Sequence, residues 1–275
     1  MRSIMRKYNL NENFFDELNE KSAYWLGFLY ADGGVRMKNG RSGELRLKLK
    51  ETDKGHIQKF LVDLGSNTPL KCGISKTDNS KFCYVLINSN HIVKKLFELG
   101  CVQNKTFKIR LPQLNVEIMS HFIRGYFDGD GSITKIKNRP NSFVVTICSN
   151  KNFINDLFEY FNFGKIHIEK NYSLLRITKI GEIKKFKNFI YNKNKVCLHR
   201  KFNVFEQIID DYVRDYSKTK NKKTYELTNP NGNVIISYHL KSFCEENNLT
   251  YSTMSNLSRG IGKTNKGWRC KLIKK

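Results

Sequence analysis

The chain has few acidic residues for its length and no long apolar run. It contains 25 Asp and Glu against 49 Lys and Arg, a formal net charge of +24 at pH 7. No apolar stretch approaches the ~20 residues of a membrane-spanning helix, and the basic start Met1–Lys7 lacks the apolar region of a signal peptide. A positive excess of this size is typical of proteins that bind nucleic acid or an anionic membrane surface. Nucleic acid is therefore the predicted partner, and no membrane is expected.

Patterns that bind zinc or build a disulfide framework are also missing. The seven cysteines include no C-x-x-C pair, and the six histidines form no H-x-x-x-H motif or His/Cys cluster. A zinc site is therefore not predicted. The number of cysteines is odd, and Cys83, Cys148 and Cys197 lie in apolar stretches, so we predict reduced thiols in an intracellular protein.

Two short segments of the chain are nearly the same. Trp25–Gly33 and Ile123–Gly131 are each a mostly apolar run with small residues four positions apart, followed by an acid and a glycine. The small residues are Gly27, Ala31, Gly125 and Gly129. The final acids are Asp32 and Asp130. This repeat indicates a duplicated half-domain with one carboxylate in each copy.

The spacing of the small residues predicts that the two motif helices pack against each other and end at Gly33 and Gly131. Asp32 and Asp130 would then meet at the same end, where each carboxylate opposes its helix dipole and repels the other. A divalent metal ion would offset that repulsion, and hard oxygen ligands suit Mg²⁺. The alternative is an ordinary helix end at which Asp-Gly starts a turn. The duplication favours a two-metal site for phosphodiester chemistry.

After each motif the periodicity predicts the same order of elements, so that each half reads helix, strand, strand, helix, strand, strand, helix. The further predicted helices are 53–64, 91–99, 152–161, 182–191 and 204–212, and the strands are 35–38, 44–50, 70–75, 82–88, 132–137, 143–148, 165–170 and 172–178. Turns are predicted at Asn39-Gly40 and Asn138–Asn141, and Thr52 is the predicted N-cap of the helix that stops before Gly65.

The strand Leu45–Lys50 alternates strictly between leucine and a cation, which places its cations on one face. These cations are Arg46, Lys48 and Lys50. Because three cations in a row repel one another, a bound polyanion is favoured over a merely solvated face.

The two segments resemble the LAGLIDADG motif, and the chain resembles a single-chain, two-motif LAGLIDADG homing endonuclease from about Phe14 to Tyr212. The first motif departs from the family pattern, notably at Tyr30, but both motifs keep the acid before the final glycine. The resemblance implies an α+β fold of two pseudo-symmetric αββαββα half-domains, 1–115 and 116–213, with saddle-shaped antiparallel sheets and the motif helices at the interface. It also implies a monomer in which Asp128 has a structural role or supports the metal-binding residues without binding the metal.

The resemblance further implies site-specific, metal-dependent cleavage of both strands of a long, near-asymmetric double-stranded DNA target. Asp32 and Asp130 would bind two or three divalent ions, Mg²⁺ with Mn²⁺ or Ca²⁺ as substitutes. Lys105 and Lys201 follow the two acids at similar distances in sequence and match the basic residue that stabilises developing charge. A neighbouring Lys or Arg in that role, or a plain phosphate contact, is the alternative. The predicted DNA contacts on the strands are Arg36, Lys38, Arg46, Lys48, Lys50, Lys135 and Lys137.

A separate module is predicted at the C-terminal end. Residues 214–223 are basic and typical of a flexible linker, and 224–275 follow as a small module. Helices at 240–247 and 251–258, the second with Thr250 as N-cap, have helix-turn-helix spacing. The module resembles the nuclease-associated modular DNA-binding domains of phage and bacterial homing endonucleases; a helical appendage without a DNA role is the alternative. Its predicted base contacts are Ser252, Thr253, Ser255, Asn256 and Arg259.

Two functions fit this sequence: a DNA endonuclease, or a non-cleaving binder of the same fold such as an intron RNA maturase or a transcription regulator. Binders of this fold can lose their acids, and both acids are present here, so cleavage is favoured. Intein splice-junction residues are not evident, and we predict an intron-encoded or free-standing nuclease. The expected location is the cytoplasm of a bacterial or phage-infected cell, at the nucleoid, with an organellar origin left open.

Overall fold

The computed structural model of the chain describes residues 7–136, 142–191, 196–218 and 223–274. The chain divides into two compact units, the first made of Met1–Ile133, Val145–Ile177 and Lys187–Phe202, and the second of Thr134–Val144, Thr178–Phe186 and Asn203–Lys275. Lys137 and the predicted turn at Asn138–Asn141 lie outside the described residues. Within the described part, no helix is both long and apolar enough to cross a bilayer.

Pairs of strands are separated by one or two helices, and a single strand comes last. In chain order they are α1 (Glu20–Asp32), β1 (Gly33–Lys38), β2 (Ser42–Lys50), α2 (Lys54–Asp63), β3 (Lys71–Ile74), β4 (Lys81–Asn88), α3 (Asn90–Glu98), α4 (Val116–Asp130), β5 (Gly131–Lys135), β6 (Phe143–Ser149), α5 (Lys151–Phe161), β7 (Lys165–Ile168), β8 (Ser173–Ile177), α6 (Ile180–Ile190), α7 (His199–Lys218), β9 (Thr224–Thr228), β10 (Val234–Ser237), α8 (Leu240–Glu246), α9 (Tyr251–Leu257) and β11 (Arg269–Lys274). This mixed composition agrees with the predicted α+β class.

The sheets are antiparallel. Two four-stranded sheets have the orders β1-β2-β4-β3 and β5-β6-β8-β7, and a three-stranded sheet has the order β10-β9-β11. In β2, Leu45 and Leu47 are buried whereas Arg46 and Lys48 are exposed. The predicted alternation of leucines and cations is therefore confirmed.

The motif helix α1 begins at a capping box. The Asn19 side chain accepts from the backbone N–H of Ser22, and the Ser22 hydroxyl accepts from the backbone N–H of Asn19. This exchange satisfies donors that the first helical turn leaves unpaired. Likewise, α4 begins with the Asn115 side chain accepting from the N–H of Ile118 at 2.9 Å.

Both motif helices end at the predicted glycines, but not because of left-handed backbone. Gly33 and Gly131 have φ of −76° and −86°, values that any residue adopts. A Cβ at Gly33 would lie 2.7 Å from the carbonyl oxygen of Leu29, and one at Gly131 would overlap the ring of Phe127. The glycines are required because the chain folds back sharply against its own last helical turn.

Two local predictions are wrong. A 3₁₀ turn, Glu51–Asp53, precedes α2, so the N-cap position falls on Asp53 and not on Thr52. The Asp53 carboxylate makes no capping bond and instead accepts hydrogen bonds from Arg200 at 3.2 and 3.0 Å. In addition, α7 continues to Lys218, so the first residues of the predicted linker are helical.

The prediction that all cysteines are reduced is also wrong. Cys72 and Cys83 form a disulfide. They are direct cross-strand partners in the β3–β4 pair, with Cα atoms 4.0 Å apart. Strand register brings them together, and it cannot be deduced from cysteine spacing. The other cysteines are free thiols, namely Cys101, Cys148, Cys197, Cys244 and Cys270.

The C-terminal residues of the second unit have a hydrophobic core of their own. Its buried members are Tyr225, Leu227, Leu240, Cys244, Leu249, Met254, Leu257 and Cys270. Phe243 and Trp268 pack against this core, with ring centroids 5.2 Å apart. The core joins β9, α8, α9 and β11, so these elements support one another.

Candidate active site at the end of two packed helices

The helices α1 and α4 pack with their backbones in contact. A Cβ at Gly27 would overlap the carbonyl oxygen of Phe122 and lie 2.8 Å from the carbonyl carbon. A Cβ at Gly125 would overlap the carbonyl oxygen of Tyr24 in the same way. Because main-chain atoms cannot rotate away as a side chain can, neither position accepts a residue larger than glycine.

Asp32 and Asp130 are the last residues of these two helices and lie at the same end of the pair. A Cβ at Gly129 would overlap the Cβ of Ala31 and lie 3.3 Å from Oδ2 of Asp32. The end of α4 therefore adjoins the carboxylate of α1. All four residues predicted at the helix interface lie along this contact, namely Gly27, Ala31, Gly125 and Gly129.

The two carboxylates influence each other. Both residues are exposed as a whole, but protein atoms near each carboxyl group displace part of the water around it. This burial and the charge of Asp32 raise the pKa of Asp130 to about 6. Burial also raises the pKa of Asp32, against the lowering effect of Lys105, Lys201 and Arg200. The pair therefore carries repulsion that a cation would relieve.

Lys105 and Lys201 both bind the ends of the motif helices. The Nζ of Lys105 donates to the carbonyl oxygens of Leu29 at 2.8 Å and Ala31 at 2.5 Å. The Nζ of Lys201 donates to three carbonyl oxygens, those of Phe127 (2.7 Å), Gly129 (3.1 Å) and Gly131 (2.6 Å). Burial lowers the pKa of Lys201 to about 8 and also lowers that of Lys105.

A cavity of about 550 Å³ opens beside Asp32. Its lining includes Lys48, Lys50, Lys81, Gly129 and Arg200. Arg200 also lowers the pKa of Asp32. The sequence indicated it only as a basic neighbour of Lys201. The available signal was the basic run at the start of α7, where Arg200 directly precedes Lys201. An anionic ligand in this cavity would meet four cations and the carboxylates of Asp32 and Asp53.

The cations of the first sheet differ in their partners. Arg36 and Lys38 both pair with the buried carboxylate of Glu44, at 2.6 and 2.5 Å. Glu44 is the direct cross-strand neighbour of Arg36. Arg46 lies over the ring of Tyr84, with its guanidinium carbon 5.2 Å from the centroid. Arg36 and Lys38 are thus partly neutralised, which reduces their pull on a distant polyanion.

Three more predicted cations of the sheets are described. Lys48 lies over the ring of Phe82, with Nζ 3.7 Å from the centroid. Lys50 is exposed at the end of β2, and Lys135 is exposed at the end of β5. Within the described part of the chain, no acid lies in ion-pair distance of Lys48, Lys50 or Lys135. These charges face solvent and are available to a ligand.

Asp128 has a structural environment, as the resemblance implied. It is 1% exposed and accepts hydrogen bonds from the Tyr24 hydroxyl (2.8 Å), the Tyr191 hydroxyl (2.5 Å) and the backbone N–H of Leu198 (2.7 Å).

The Tyr24 hydroxyl also contacts His56. Burial lowers the pKa of His56 to about 3. Because the single hydroxyl proton of Tyr24 goes to Asp128, the neutral imidazole donates through Nε2 to the Tyr24 oxygen at 2.8 Å.

Replacing Asp128 with alanine is expected to lower the free energy of unfolding by about 3–5 kcal/mol, because it strands several buried donors. Tyr191→Phe removes one donor alone, and we expect a loss of about 1–2 kcal/mol. Urea titration followed by circular dichroism measures both. A loss below about 1 kcal/mol for Asp128→Ala would contradict the structural role.

The predicted DNA-contacting residues of the C-terminal module lie on α9 and just after it. Ser252 and Arg259 are exposed, and Thr253, Ser255 and Asn256 are half-buried. The Arg259 guanidinium donates to the Asn256 side-chain oxygen at 2.6 Å. Thr250 occupies the N-cap position, but its side chain makes no capping hydrogen bond.

The donor set at the helix ends suits a hard divalent cation. Two carboxylates supply anionic oxygen ligands, and their repulsion falls when a cation lies between them. Among the described residues, no group of three or more His, Cys, Asp or Glu forms a complete metal site.

Comparison with known proteins identifies one domain and the fold. Residues 117–190 match the family model described as a LAGLIDADG-like domain. The fold is similar to that of the LAGLIDADG meganuclease I-AabMI bound to uncleaved DNA, with 14% sequence identity, a TM-score of 0.52 and coverage of 73% of this chain and 92% of that one. It is also similar to I-SmaMI bound to an uncleaved DNA target in the presence of calcium ions, with 15% identity, a TM-score of 0.50 and coverage of 74% and 93%.

One curated relative matches this chain in sequence over only a small part of the relative's own length. The replication factor C small subunit of Methanocaldococcus jannaschii is 28% identical over 189 residues, which are 66% of this chain and 9% of that protein. The chain thus spans less than a tenth of this relative. Together, the comparisons show a LAGLIDADG-like domain in the second motif region and the fold of LAGLIDADG meganucleases.

Proposed function

We propose that this chain is a LAGLIDADG-type homing endonuclease that cuts both strands of a specific DNA site by divalent-metal-dependent hydrolysis. The observation that carries the proposal is the pair of carboxylates, Asp32 and Asp130, at one end of two helices in backbone contact. The two carboxylates repel each other, and a bound cation would offset that repulsion. Such a pair of acids with perturbed pKa values is typical of a functional site. The DNA-bound structural neighbours support double-stranded DNA as the substrate.

Asp32 and Asp130 would hold Mg²⁺, with Mn²⁺ or Ca²⁺ as substitutes. Metal bound there supplies stabilisation of charge on the phosphate and a water of lowered pKa. Each of the two acids would serve the cleavage of one DNA strand. The cations around the cavity, including Lys48 and Arg200, hold the DNA backbone beside Asp32.

The sheets and the C-terminal helix pair would each contact the DNA. Arg46, Lys48 and Lys50 form an exposed basic face in the first sheet. The helix-turn-helix module would extend the contact through α9. We further propose a monomer made of two pseudo-symmetric halves and encoded in an intron or free-standing. Its place of action would be the nucleoid in the cytoplasm of a bacterial or phage-infected cell.

The proposed cleavage can be tested with a library of randomised duplexes. The full chain is incubated with the library and Mg²⁺, and cut molecules are captured and sequenced. We expect one family of related target sequences, and no cutting with EDTA or with the Asp32→Asn/Asp130→Asn double variant. Enrichment of bound duplexes without any cut strand, in Mg²⁺ or Mn²⁺, would instead identify a non-cleaving binder.

The affinity for divalent ions is expected to depend on pH because of Asp130. Its pKa is about 6, so below that pH a proton competes with the metal. The apparent dissociation constant for Mn²⁺ should fall by about tenfold for each pH unit up to about 6 and then level off. Paramagnetic broadening of NMR signals measures the binding. In Asp130→Asn this dependence should be reduced, and an equally steep dependence in that variant would point to another group.

The role of the C-terminal helix pair is testable on the full chain. Arg259→Ala is expected to shorten the DNA footprint at one end and to weaken binding by about 1–3 kcal/mol if Arg259 contacts a base. The matched control is Lys241→Ala, which removes an exposed positive charge from α8. DNase protection of the selected target measures both. Identical footprints for the parent and Arg259→Ala would leave this arginine without a DNA role.

A further inference from the structure

All three N–H donors of the Lys201 ammonium group have acceptors within the protein. A lysine side chain has three N–H donors. Nζ of Lys201 lies within hydrogen-bond distance of three backbone carbonyl oxygens at the end of α4, and the residue is 7% exposed. Each proton therefore has an acceptor within the chain, and none is directed to a bound ligand.

The acceptors lie where the helix ends. One is the carbonyl of Phe127, which also accepts from the backbone N–H of Gly131. The others, Gly129 and Gly131, flank Asp130 on either side. Since the last carbonyls of a helix lack partners and carry partial negative charge, a cation there stabilises the end of the helix. Lys201 thus fixes the backbone immediately before and after the carboxylate.

Lys105 makes the corresponding contact at the end of α1. It binds the carbonyls of Leu29 and Ala31, which precede Asp32 by the same numbers of residues as Phe127 and Gly129 precede Asp130. The same geometry therefore occurs in both motifs, although the sequence around the two lysines differs. A repeated contact indicates a shared role and not an accident of packing.

Neither lysine touches an acid directly. Within the described part of the chain, no ion pair within 4.0 Å joins Lys105 or Lys201 to Asp32 or Asp130. Their effect on the acids therefore comes through the helix ends that they hold and through charge at longer range. Both lysines lower the pKa of Asp130 and so oppose its protonation.

We propose that Lys201 is a positioning residue: it caps the end of α4 and holds Asp130 in place, and it does not bind the phosphate that is cut. The resemblance to homing endonucleases implied charge stabilisation at the reacting group, and the hydrogen bonds assign another task. Lys105 caps the end of α1 in a similar way at Asp32, with two of its three N–H donors. The consequence for cleavage rests on the proposed function, whereas the capping role can be tested without DNA or metal.

The first test is amide hydrogen exchange in the metal-free protein without DNA. Lys201→Met should speed the exchange of the Gly131 amide by at least about fivefold, because its hydrogen-bonded turn loosens. Lys94→Met, an exposed lysine of α3, removes the same charge and should leave that amide unchanged. Lys201→Gln is neutral but keeps two N–H donors, and it covers the case in which the methionine variant does not fold.

The second test is the salt dependence of DNA binding, measured with one duplex in the absence of metal. Loss of a phosphate contact lowers the slope of log K against log[salt] by about 0.9. Lys48→Met should show this decrease, whereas Lys201→Met should match Lys94→Met. A slope reduced as in Lys48→Met, or an unchanged Gly131 amide, would overturn the proposal. If the protein binds no DNA at all, the proposed function fails, and hydrogen exchange still decides the capping role.

Discussion

Gly27→Ala and Gly125→Ala are each expected to lower the free energy of unfolding of the first unit by about 3 kcal/mol or more. At both positions the added methyl group would overlap a main-chain carbonyl oxygen of the facing helix. The helices α1 and α4 would have to separate, and the side chains packed around their contact would lose part of their burial. Because the two acids end these helices, cleavage should fall together with stability.

The measurement can be confined to the unit that contains the helices. The chain has two tryptophans, and Trp25 is fully buried in α1. In a Trp268→Phe background, fluorescence of Trp25 reports unfolding around the helix pair. For a chain of this size, 3 kcal/mol corresponds to a decrease in Tm of roughly 6–12 °C.

Gly55→Ala is the matched control for this prediction. Gly55 lies in α2, and a Cβ there would meet no atom within 4 Å. The same substitution should therefore stabilise the protein slightly, by about 0.5 kcal/mol, because alanine is a better helix former than glycine. Equal effects at Gly27 and Gly55 would show that backbone contact does not explain the requirement for glycine at position 27.

The helix pair could be predicted because its determinants are local in sequence. Small residues four positions apart define a face of a helix whatever surrounds it, and their recurrence around Gly27 and Gly125 indicated that two such faces meet. The ends at Gly33 and Gly131 followed from the same pattern. Their cause did not, because the crowding against Leu29 and Phe127 depends on how the chain folds back after the helix.

Features that depend on strand register were not predictable. The disulfide between Cys72 and Cys83 and the pairing of Arg36 with Glu44 both join residues that face each other across two strands. A shift of one residue in either pair would separate them. The sequence showed cations on the strands, but it could not show that Glu44 takes two of them.

The lysines illustrate a different limit. Their distances from the two acids in sequence led to Lys105 and Lys201, and the structure places both at the ends of the motif helices. Sequence patterns identify the residue type but not its acceptor, and the acceptors here are main-chain carbonyls that any residue would provide. The sequence therefore indicated where each lysine lies, but only the structure identified its hydrogen-bond acceptors.

Asp32→Asn and Asp130→Asn are each expected to reduce cutting of at least one DNA strand by roughly 1,000-fold or more, since a neutral amide replaces an anionic metal ligand. Supercoiled plasmid carrying the selected target separates the possible results. If each acid serves one strand, a single variant yields nicked circles and the double variant yields no product. Glu98→Gln, which alters the exposed acid at the end of α3, is the control and should cut both strands normally.

The same substitutions should have an opposite effect on stability, which separates a functional carboxylate from a structural one. Near pH 7 both acids are ionised and repel each other, because the charge of Asp32 contributes to the raised pKa of Asp130. Asp32→Asn removes that repulsion, so the metal-free variant should have a higher Tm than the parent. At pH 4, where Asp130 is protonated, the gain should disappear, and Mg²⁺ should reduce it at pH 7 by stabilising only the parent. A variant that loses both cleavage and stability at pH 7 would instead place Asp32 among the residues that hold the fold together.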